Sequence, residues 1–545
     1  MLQIKNLTIT HLKDLKNLLE NCSFTLQKGD KAVIIGEEGN GKSTLLKWIY
    51  DPALIEAYAE AKGECIATGE KFGYLPQELA EEDKTLSVQE FFEQDPSFYE
   101  YDPRDIARKA SRLGLAKDFY YSEQIMGTLS GGEKVKAQLL KLLLADPSVL
   151  LLDEPSNDLD LATLDVLESL IRDFSGIVLF ISHDEVLIER TANMVLHIEQ
   201  VYKKRESRYQ VARLSYPEYV KSRQDQFARQ EMQAAEDQRK KRIRDEKLRR
   251  IYQSVDYAQE TISRQDPSGG RLLKKKMHAV KSMEHRFARE DETMTKRPIR
   301  EEAIDYSFGL LAEPIPAGKV VLELDLDTLV AGDTLLSRDI HLHVQGSEKV
   351  CIIGRNGTGK TTLLKTIADQ LLARKDLEVV YMPQQYEDQL DMDLDPVDYL
   401  VANTDLNKAR ITDRHEPAKL RQAREEREKQ GIGVTEQEWR THIRTYLGAL
   451  RFTEEEMNHP ISALSGGQKA KGFLLKMNLS RANVLLLDEP TRNFSPLSGP
   501  VIRQMLASFP GAIISVSHDR KYIEEVCDTI YELTPEGLKK SKSAL

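Results

Sequence analysis

Two glycine-rich loops in this chain have the composition and spacing that bind nucleotide phosphates. Each fits the pattern GxxxxGK[ST], follows an apolar run and precedes a stretch of helical character. Glycines let backbone N–H groups close on phosphate oxygens, and the lysine reaches the β- and γ-phosphates. The predicted phosphate-binding residues are Gly36, Glu37, Glu38, Gly39, Asn40, Gly41, Lys42, Ser43 and Thr44 in the first loop, and Gly354, Arg355, Asn356, Gly357, Thr358, Gly359, Lys360, Thr361 and Thr362 in the second.

Groups able to hydrolyse a bound nucleotide follow each loop in the same order. An aspartate can hold Mg²⁺, the next glutamate can polarise the attacking water as a catalytic base, and a histidine 30 residues after the aspartate can contact the γ-phosphate. A glutamine between the loop and the aspartate can touch the metal and the water. The first copy supplies Gln77, Asp153, Glu154 and His183, and the second supplies Gln384, Asp488, Glu489 and His518. The predicted Mg²⁺ ligands are Ser43, Gln77, Asp153, Thr361, Gln384 and Asp488.

The motif LSGG also occurs twice, with its serine 23 residues before each aspartate. Its residues are Ser130, Gly131 and Gly132 in the first copy, and Ser465, Gly466 and Gly467 in the second. Two unrelated segments do not share the internal spacing of several motifs by chance. The chain is therefore a duplicated nucleotide-phosphate protein.

Apolar runs of strand length position these motifs. Val33–Ile35 enters the first loop, Val149–Leu152 precedes the first acidic pair, and Ile177–Ile181 precedes the first SHD. Such runs are typical of strands buried on both faces of a parallel sheet, so we predict an α/β fold with two tandem P-loop ATPase domains joined by a long helical hairpin. The predicted domains are residues 1–202, the linker 203–300, and residues 301–545 with a charged surface insertion of no assigned role at about 403–444.

Composition excludes several classes of protein. No run of about 18 apolar residues occurs, which argues against a transmembrane helix. The first residues lack the basic-then-apolar layout of a signal peptide. The four cysteines form no CxxC pair, so we interpret them as small buried residues rather than metal ligands or disulfides. A cytoplasmic protein without a membrane partner is expected.

The predicted linker is basic in an otherwise acidic chain. It has 27 Lys and Arg against 15 Asp and Glu, whereas the whole chain carries a net charge of −11. Solvated helices usually mix the two signs, so this imbalance favours a polyanionic partner over a solvated coiled coil. Seven-residue apolar steps on either side of a Pro/Gly-rich turn predict an antiparallel hairpin with its tip at about 254–270. The steps are Val220, Phe227, Ala234 and Leu248, then Leu273, Val280 and Phe287.

LSGGE and LSGGQ, each followed by LLLDEP, resemble the signature pair of ATP-binding cassette (ABC) proteins. The resemblance implies two ABC-type domains that bind ATP with Mg²⁺ and hydrolyse it. In that family the signature of one cassette completes the ATP site of the other, which implies a monomer with intramolecular cassette pairing. Carried over to this chain, Lys42, Asp153, Glu154 and His183 would face Ser465, Gly466 and Gly467, and Lys360, Asp488, Glu489 and His518 would face Ser130, Gly131 and Gly132.

Two cassettes, no membrane span and a basic hairpin between them are similar to the F subfamily of ABC proteins. Its members bind the ribosome near the vacant tRNA exit site, with the hairpin pointing towards the peptidyl-transferase centre. The resemblance implies rRNA, and exit- or peptidyl-site tRNA, as partners. It favours antibiotic resistance by ribosome protection over a general translation factor. Two other classes stay open, namely the ATPase pair of a membrane exporter and a DNA-associated ATPase.

Under the ribosome hypothesis, basic hairpin residues contact RNA phosphate and the tip lies nearest the catalytic centre. Tyr257 can stack on a base or a drug, or else pack the hairpin turn. The predicted contacts are Arg239, Lys240, Lys241, Arg242, Arg244, Arg249, Arg250, Tyr257, Arg264, Lys274, Lys275 and Lys276.

The chain departs from the family after its DEP motif, where members usually read TNHLD. The first copy reads Ser156-Asn157-Asp158-Leu159-Asp160 and the second Thr491-Arg492-Asn493-Phe494-Ser495. Asp158 stands where His is usual, Arg492 where Asn is usual, and Ser495 removes the closing Asp. Because this loop crosses the cassette interface, we expect two unequal ATP sites. Residues 11–17 and 330–334, where an adenine-stacking aromatic is expected, hold no Phe, Tyr or Trp, so nucleotide selectivity is open.

Overall fold

The computed structural model describes residues 1–157, 159–201, 206–261, 267–298, 314–332, 334–404 and 435–541. The chain forms two compact units, which are Met1–Tyr216 together with Glu301–Leu545, and Pro217–Arg300. The first unit holds both copies of the motifs, and the second is helical.

The first copy is an α/β structure. Its strands are β1 (Leu2–His11), β2 (Asn17–Leu26), β3 (Lys31–Ile35), β4 (Ala59–Ile66), β5 (Phe72–Leu75), β6 (Val149–Asp153), β7 (Ile177–Ile181), β8 (Met194–Val201) and β9 (Glu206–Ala212). Its helices are α1 (Lys42–Tyr50), α2 (Glu81–Lys84), α3 (Val88–Glu93), α4 (Pro103–Arg112), α5 (Gly131–Leu144), α6 (Leu161–Asp173) and α7 (Glu185–Thr191).

A six-stranded sheet of order β5-β6-β7-β3-β8-β9 forms the centre of this copy. Its strands are parallel from β5 to β8, and β9 is antiparallel to β8. Every residue of β3, β6 and β7 is buried, and these three strands contain the predicted apolar runs. Their carboxyl ends meet at one edge of the sheet, which brings the phosphate loop, the acidic pair and the SHD motif together.

The second copy repeats this arrangement with the order β13-β14-β15-β12-β16-β17. Its strands are β10 (Val320–Ala331), β11 (Thr334–Gln345), β12 (Lys349–Ile353), β13 (Val379–Met382), β14 (Val484–Asp488), β15 (Ala512–Val516), β16 (Thr529–Thr534) and β17 (Gly537–Lys540). Its described helices, numbered on from the linker helices α8 (Tyr216–Thr261) and α9 (Pro267–Glu292), are α10 (Lys360–Leu372), α11 (Pro396–Ala402), α12 (Glu436–Ala449), α13 (Glu454–Asn458), α14 (Gly466–Leu479), α15 (Gly499–Ala507) and α16 (Arg520–Val526).

The helical unit is an antiparallel pair. The side chain of Gln230 donates to the Lys296 carbonyl, and Arg244, further along the first helix, pairs with Glu290 at 3.3 Å. Because the later residue of the first helix contacts the earlier residue of the second segment, the two run in opposite directions. The apolar seam is buried at Ala234 and at Val280. The apolar steps in the sequence therefore predicted a residue of the packing face in each helix, Ala234 in α8 and Val280 in α9.

Three local expectations are wrong. The residues Pro267 to Gly270 begin helix α9 rather than forming a turn, because proline is well suited to the first turn of a helix. The part of the 403–444 segment from residue 436 onwards belongs to the core, since Trp439 is buried and its Nε1 donates to Thr404 Oγ1 at 2.9 Å. Cys65 is exposed rather than buried.

Candidate functional site

The two phosphate loops have the same geometry. Gly41 and Gly359 precede helices α1 and α10 with φ of 85° and 93°, a left-handed conformation that favours glycine. The Nζ of Lys42 donates to the carbonyls of Gly36 and Glu37 at 2.9 and 3.0 Å. Lys360 makes the equivalent bonds in the second loop. Each loop therefore presents a buried lysine and the N-terminus of a helix to one space, which suits a polyphosphate.

The aspartates at the ends of β6 and β14, Asp153 and Asp488, are both buried. Ser43 Oγ donates to Asp153 Oδ1 at 2.9 Å. Both carboxylate oxygens of Asp488 are buried and accept no hydrogen bond from the described residues. Burial raises the pKa of Asp153 to about 6 and also raises the pKa of Asp488. Buried carboxylates with unfilled acceptor positions next to a hydroxyl fit Mg²⁺, which prefers oxygen ligands.

Both glutamates that follow these aspartates have strained backbones. Glu154 and Glu489 each have φ of 50°, in the left-handed region that residues other than glycine seldom adopt. Their N–H groups donate to the carbonyls of Ile181 and Val516 at 3.1 and 2.9 Å, across to the neighbouring strand. The same strain in both copies fixes the two carboxylates at the sheet edge.

In the first site, the buried Glu154 forms an ion pair with the half-buried His183. His183 Nε2 lies 3.0 Å from Glu154 Oε1, and His183 Nδ1 lies 2.7 Å from the carbonyl oxygen of Phe494 in the second copy. Burial would raise the pKa of Glu154, but the charge and hydrogen bond of His183 outweigh it and hold that pKa below its usual value. The charge of Glu154 likewise outweighs burial at His183 and raises the imidazole pKa.

The second site lacks this pairing. His518 Nε2 lies 4.0 Å from Glu489 Oε1, which is beyond hydrogen-bond distance. Between these two residues, both of which the structure describes, the only hydrogen bond is from the backbone N–H of His518 to Glu489 Oε2, at 3.3 Å. Burial and the neighbouring Asp488 raise the pKa of Glu489 to about 8. Burial and Lys360 lower the pKa of His518 to about 4. The two sites therefore differ in the protonation of their glutamate and histidine.

Two cavities open onto these groups, one of about 430 Å³ at the first loop and one of about 1050 Å³ at the second. Both are lined by residues of both copies. Of the predicted residues, the smaller cavity is lined by Glu38, Gly39, Gly41, Lys42, Ser43, Thr44, Gln77, Glu154 and His183. The larger is lined by Gly131, His183, Asn356, Gly357, Gly359, Lys360, Thr361, Thr362, Gln384, Gly466, Asp488, Glu489 and His518.

Other predicted residues are not among those that line these cavities. Asn40 Nδ2 donates to the Ile198 carbonyl at 3.0 Å within the first copy. Ser130 and Ser465 cap helices α5 and α14, with Oγ accepting from the N–H three residues on at 3.3 Å in both. The last residue of each signature, Glu133 or Gln468, completes this capping box.

The first phosphate loop makes a contact that its motif did not predict. The half-buried carboxylate of Glu37 accepts from Ser495 Oγ at 2.7 Å and Ser498 Oγ at 2.8 Å, and lies 3.1 Å from Lys471 Nζ. Burial would raise the pKa of Glu37, but Lys471 and the two hydroxyls lower it to about 2. Glu38 accepts from the Gly467 N–H. A hydroxyl at position 495 suits this carboxylate, whereas the usual aspartate would repel it.

A family model described as ABC transporter matches residues 19–157 and 337–492, which is more than half of the chain. The chain belongs to the ATP-binding cassette family. Its full-length relatives include F-subfamily proteins, and the chain is an ABC-F ATPase with two cassettes, as the sequence predicted. Among the described residues, no helix combines the length and hydropathy needed to cross a membrane.

Several curated relatives span almost the whole chain. ATP-binding protein Uup of Escherichia coli is 25% identical, over 93% of this chain and 76% of the relative. Ribosome protection protein VmlR of Bacillus subtilis is 26% identical, over 96% and 85%. A probable ATP-binding cassette sub-family F member 3 homolog of Encephalitozoon cuniculi is 25% identical, over 95% and 78%. The solved structure of an archaeal ribosomal stalk protein aP1 with ribosome recycling factor aABCE1 matches with TM-score 0.55 at 15% identity, over 98% of this chain and 90% of that chain, and so shares the fold.

An aromatic residue that the sequence analysis missed lines the first ATP cavity of this ABC protein. Tyr58 lies there with His11 and Leu18. It precedes strand β4, outside the stretch 11–17 where an aromatic was sought, and the pairing of β4 with β1 brings it there. The corresponding part of the second cavity has Ala331 and Leu336. The two cassettes thus offer different surfaces to a base.

The basic linker residues fall into two groups. Lys241 lies 2.7 Å from Asp291, and the half-buried Arg244 pairs with Asp291 and stacks on Phe287, so both serve the hairpin itself. Lys240 and Arg250 each pair with a glutamate one turn earlier. Of the predicted contact residues, the exposed cations that form no ion pair with the described part of the helical unit are Arg239, Arg242, Arg249, Lys274, Lys275 and Lys276. Arg264 lies outside the described residues, and Tyr257 is 70% exposed.

Proposed function

We propose that this ABC-F ATPase binds the ribosome in the cytoplasm at the tRNA exit site, its linker reaching towards the peptidyl-transferase centre, and protects the ribosome against antibiotics. The observation that carries this proposal is the basic linker. Its cations include Arg239, Arg242 and Lys274 to Lys276, all of which are exposed to solvent. Cations held in this way on long helices suit RNA phosphates, because neutralising phosphates releases condensed counterions.

The ATP cycle would supply binding and release. Lys42 and Lys360 would hold the phosphates, while the loop hydroxyls, the aspartates and the glutamines would hold Mg²⁺. When bound, Mg²⁺ neutralises charge on the phosphate oxygens. Glu154 is ionised and fixed by its strained backbone, so it can accept a proton from the attacking water. His183, which bonds Glu154 on one side and the second cassette on the other, orients that glutamate when the cassettes close.

Two observations support antibiotic resistance as the role of this chain: the name of one relative, and an exposed aromatic residue near the end of the linker. The relative VmlR is named a ribosome protection protein and aligns with 96% of this chain. In the linker, Tyr257 exposes most of its ring on α8, close to the end of the hairpin. An exposed ring at this end can stack on an unstacked base or displace a planar drug.

Ribosome co-sedimentation tests the proposal. The variant Glu154→Gln/Glu489→Gln should bind ATP without hydrolysing it and therefore pellet with ribosomes in ATP, whereas wild-type protein in ADP should remain in the supernatant. Lipid vesicles and duplex DNA serve as competing partners. Retention on DNA or vesicles, with no ribosome pelleting, would contradict the proposal.

Resistance is tested in a susceptible bacterial host with drugs of the peptidyl-transferase centre. The wild-type chain should raise the inhibitory concentration of at least one such drug, and Tyr257→Ala should lose most of that effect. If every inhibitory concentration stays unchanged while the chain still pellets with ribosomes, the chain is a general translation factor.

A further inference from the structure

An ion network joins the two cassettes away from the phosphate loops. Arg503 of α15 donates to both carboxylate oxygens of Glu185 in α7, at 2.6 and 3.2 Å. Arg520 at the start of α16 lies 2.6 Å from Glu168 of α6 and 3.1 Å from Asp184. Every cross-cassette carboxylate in these contacts belongs to the first cassette, and every cation belongs to the second.

Further charges extend the network with the same polarity. Lys521 of the second cassette lies 3.2 Å from Glu185 and also pairs with Glu189 of the first. At the first phosphate loop, Glu37 of the first cassette meets Lys471 of the second. Glu168, Glu185 and Arg503 are buried, so these charges depend on their partners.

The internal duplication relates the members of this network to one another. Glu168 lies 15 residues after Asp153, and Arg503 lies 15 residues after Asp488, so they occupy equivalent positions with opposite charge. Glu185 and Arg520 are equivalent too, each two residues after the histidine of its SHD motif. The pairs Glu168–Arg520 and Arg503–Glu185 are thus the same contact made twice across the pseudo-twofold interface, with its polarity reversed.

This reversal decides which cassettes can pair. If two first cassettes met through this face, Glu168 would oppose Glu185 at both contacts. If two second cassettes met, Arg503 would oppose Arg520. Within its own cassette Glu168 has Arg190 at 3.1 Å, and Arg503 has Glu525 at 2.7 Å. In a like pairing, however, each group would lose its partner across the interface and face a group of its own sign, which is unfavourable for buried charges. A pattern with a glutamate and an arginine on each cassette would have allowed all three pairings.

We propose that this network is a pairing-specificity surface, which admits only a first cassette opposite a second cassette and rejects a cassette of its own kind. The partner that it fits is the other half of this chain, whose charges at the equivalent positions are opposite. The surface ensures that the two unequal ATP sites always form together. This inference is independent of the ribosome.

Two full-length variants test the proposal. In Glu168→Arg/Glu185→Arg the four equivalent positions 168, 185, 503 and 520 are all basic, and in Arg503→Glu/Arg520→Glu they are all acidic. Each variant alone should stay monomeric and lose at least tenfold in ATPase rate. When the two variants are mixed in equal amounts, the basic first cassette of one chain fits the acidic second cassette of the other. The basic second cassette of the first chain likewise fits the acidic first cassette of the other. The mixture should form a two-chain complex by mass photometry and regain ATPase activity.

Two controls separate pairing from folding and from net charge. Circular dichroism and binding of a fluorescent ATP analogue report whether each variant chain is folded. Glu81→Arg/Glu82→Arg adds the same charge at exposed positions of the first cassette and should keep the wild-type rate. The proposal is overturned if either network variant alone retains the wild-type rate, or if the mixture is no faster than the mean of its two components.

Discussion

The imidazole of His183 lies 3.0 Å from the carboxylate of Glu154, a contact that the second cassette does not reproduce. The corresponding separation of His518 and Glu489 is 4.0 Å, although the glutamate and the histidine are separated by the same number of residues in both cassettes. In the first site the two charges stabilise each other against burial. In the second site burial leaves the glutamate protonated and the histidine neutral at pH 7, because their pKa values are shifted to about 8 and about 4. The sites differ in chemistry and not only in their flanking loops.

The pH dependence of hydrolysis should differ between the sites. In Glu154→Gln, turnover depends on Glu489, whose pKa is raised to about 8, so its ionised fraction grows from about 10% at pH 7 to about 90% at pH 9. The ATPase rate of this variant should rise several-fold over that interval. The rate of Glu489→Gln should not rise, because the pKa of Glu154 is lowered. Parallel pH profiles for the two variants would contradict this assignment.

We expect that Glu37 makes an uncharged side chain at position 495 necessary for full ATPase activity. Ser495→Asp places a carboxylate beside the half-buried Glu37, and we expect the ATPase rate to fall about tenfold, because like charges at such distances oppose each other by more than ~1 kcal/mol. Glu37→Arg/Ser495→Asp reproduces the second site, where Arg355 and Asp160 hold these positions, and should recover most of the rate. No recovery in the double variant would show that charge complementarity is not the reason for Ser495.

Tyr58 should bind the base in the first site. In a Lys360→Ala background, which weakens the second site, Tyr58→Ala should reduce the affinity for a fluorescent ATP analogue about tenfold, since stacking contributes ~1–3 kcal/mol per base. Tyr58→Phe keeps the ring and should bind like its parent. Equal affinity of the alanine and phenylalanine variants would exclude stacking.

The exposed cations of α9 should contribute to ribosome binding by neutralising phosphates. Lys274→Ala/Lys275→Ala/Lys276→Ala should weaken binding and lower the slope of log affinity against log salt by about 1 for each phosphate that is no longer neutralised. Lys5→Ala/Lys13→Ala/Lys28→Ala removes the same charge from exposed positions of the first cassette and serves as the control. If both triple variants have the same salt slope, the linker is not the RNA-binding element.

Sequence reasoning reached the motif residues and the buried strands, because the chemistry of phosphate binding and the apolar runs are local in sequence. It could not reach Tyr58, whose place in the cavity depends on the pairing of β4 with β1. The strained φ of Glu154 and Glu489 is equally a property of the fold. The sequence shows that Ser495 departs from the family pattern, but it does not explain why. The explanation is the hydrogen bond from Ser495 to Glu37, a residue that is distant in sequence. The charge reversal of Glu168 and Arg503 is visible in the duplicated register, yet only the interface gives it meaning.

The most direct test of the two unequal ATP sites compares the ATPase rates of Glu154→Gln and Glu489→Gln at pH 7. A correctly placed general base contributes ~100-fold or more to a rate, and of the two glutamates only Glu154 is mostly ionised at this pH. Glu154→Gln should therefore lose at least about tenfold, whereas Glu489→Gln should lose less than about threefold. Equal losses, or a larger loss in Glu489→Gln, would contradict the account.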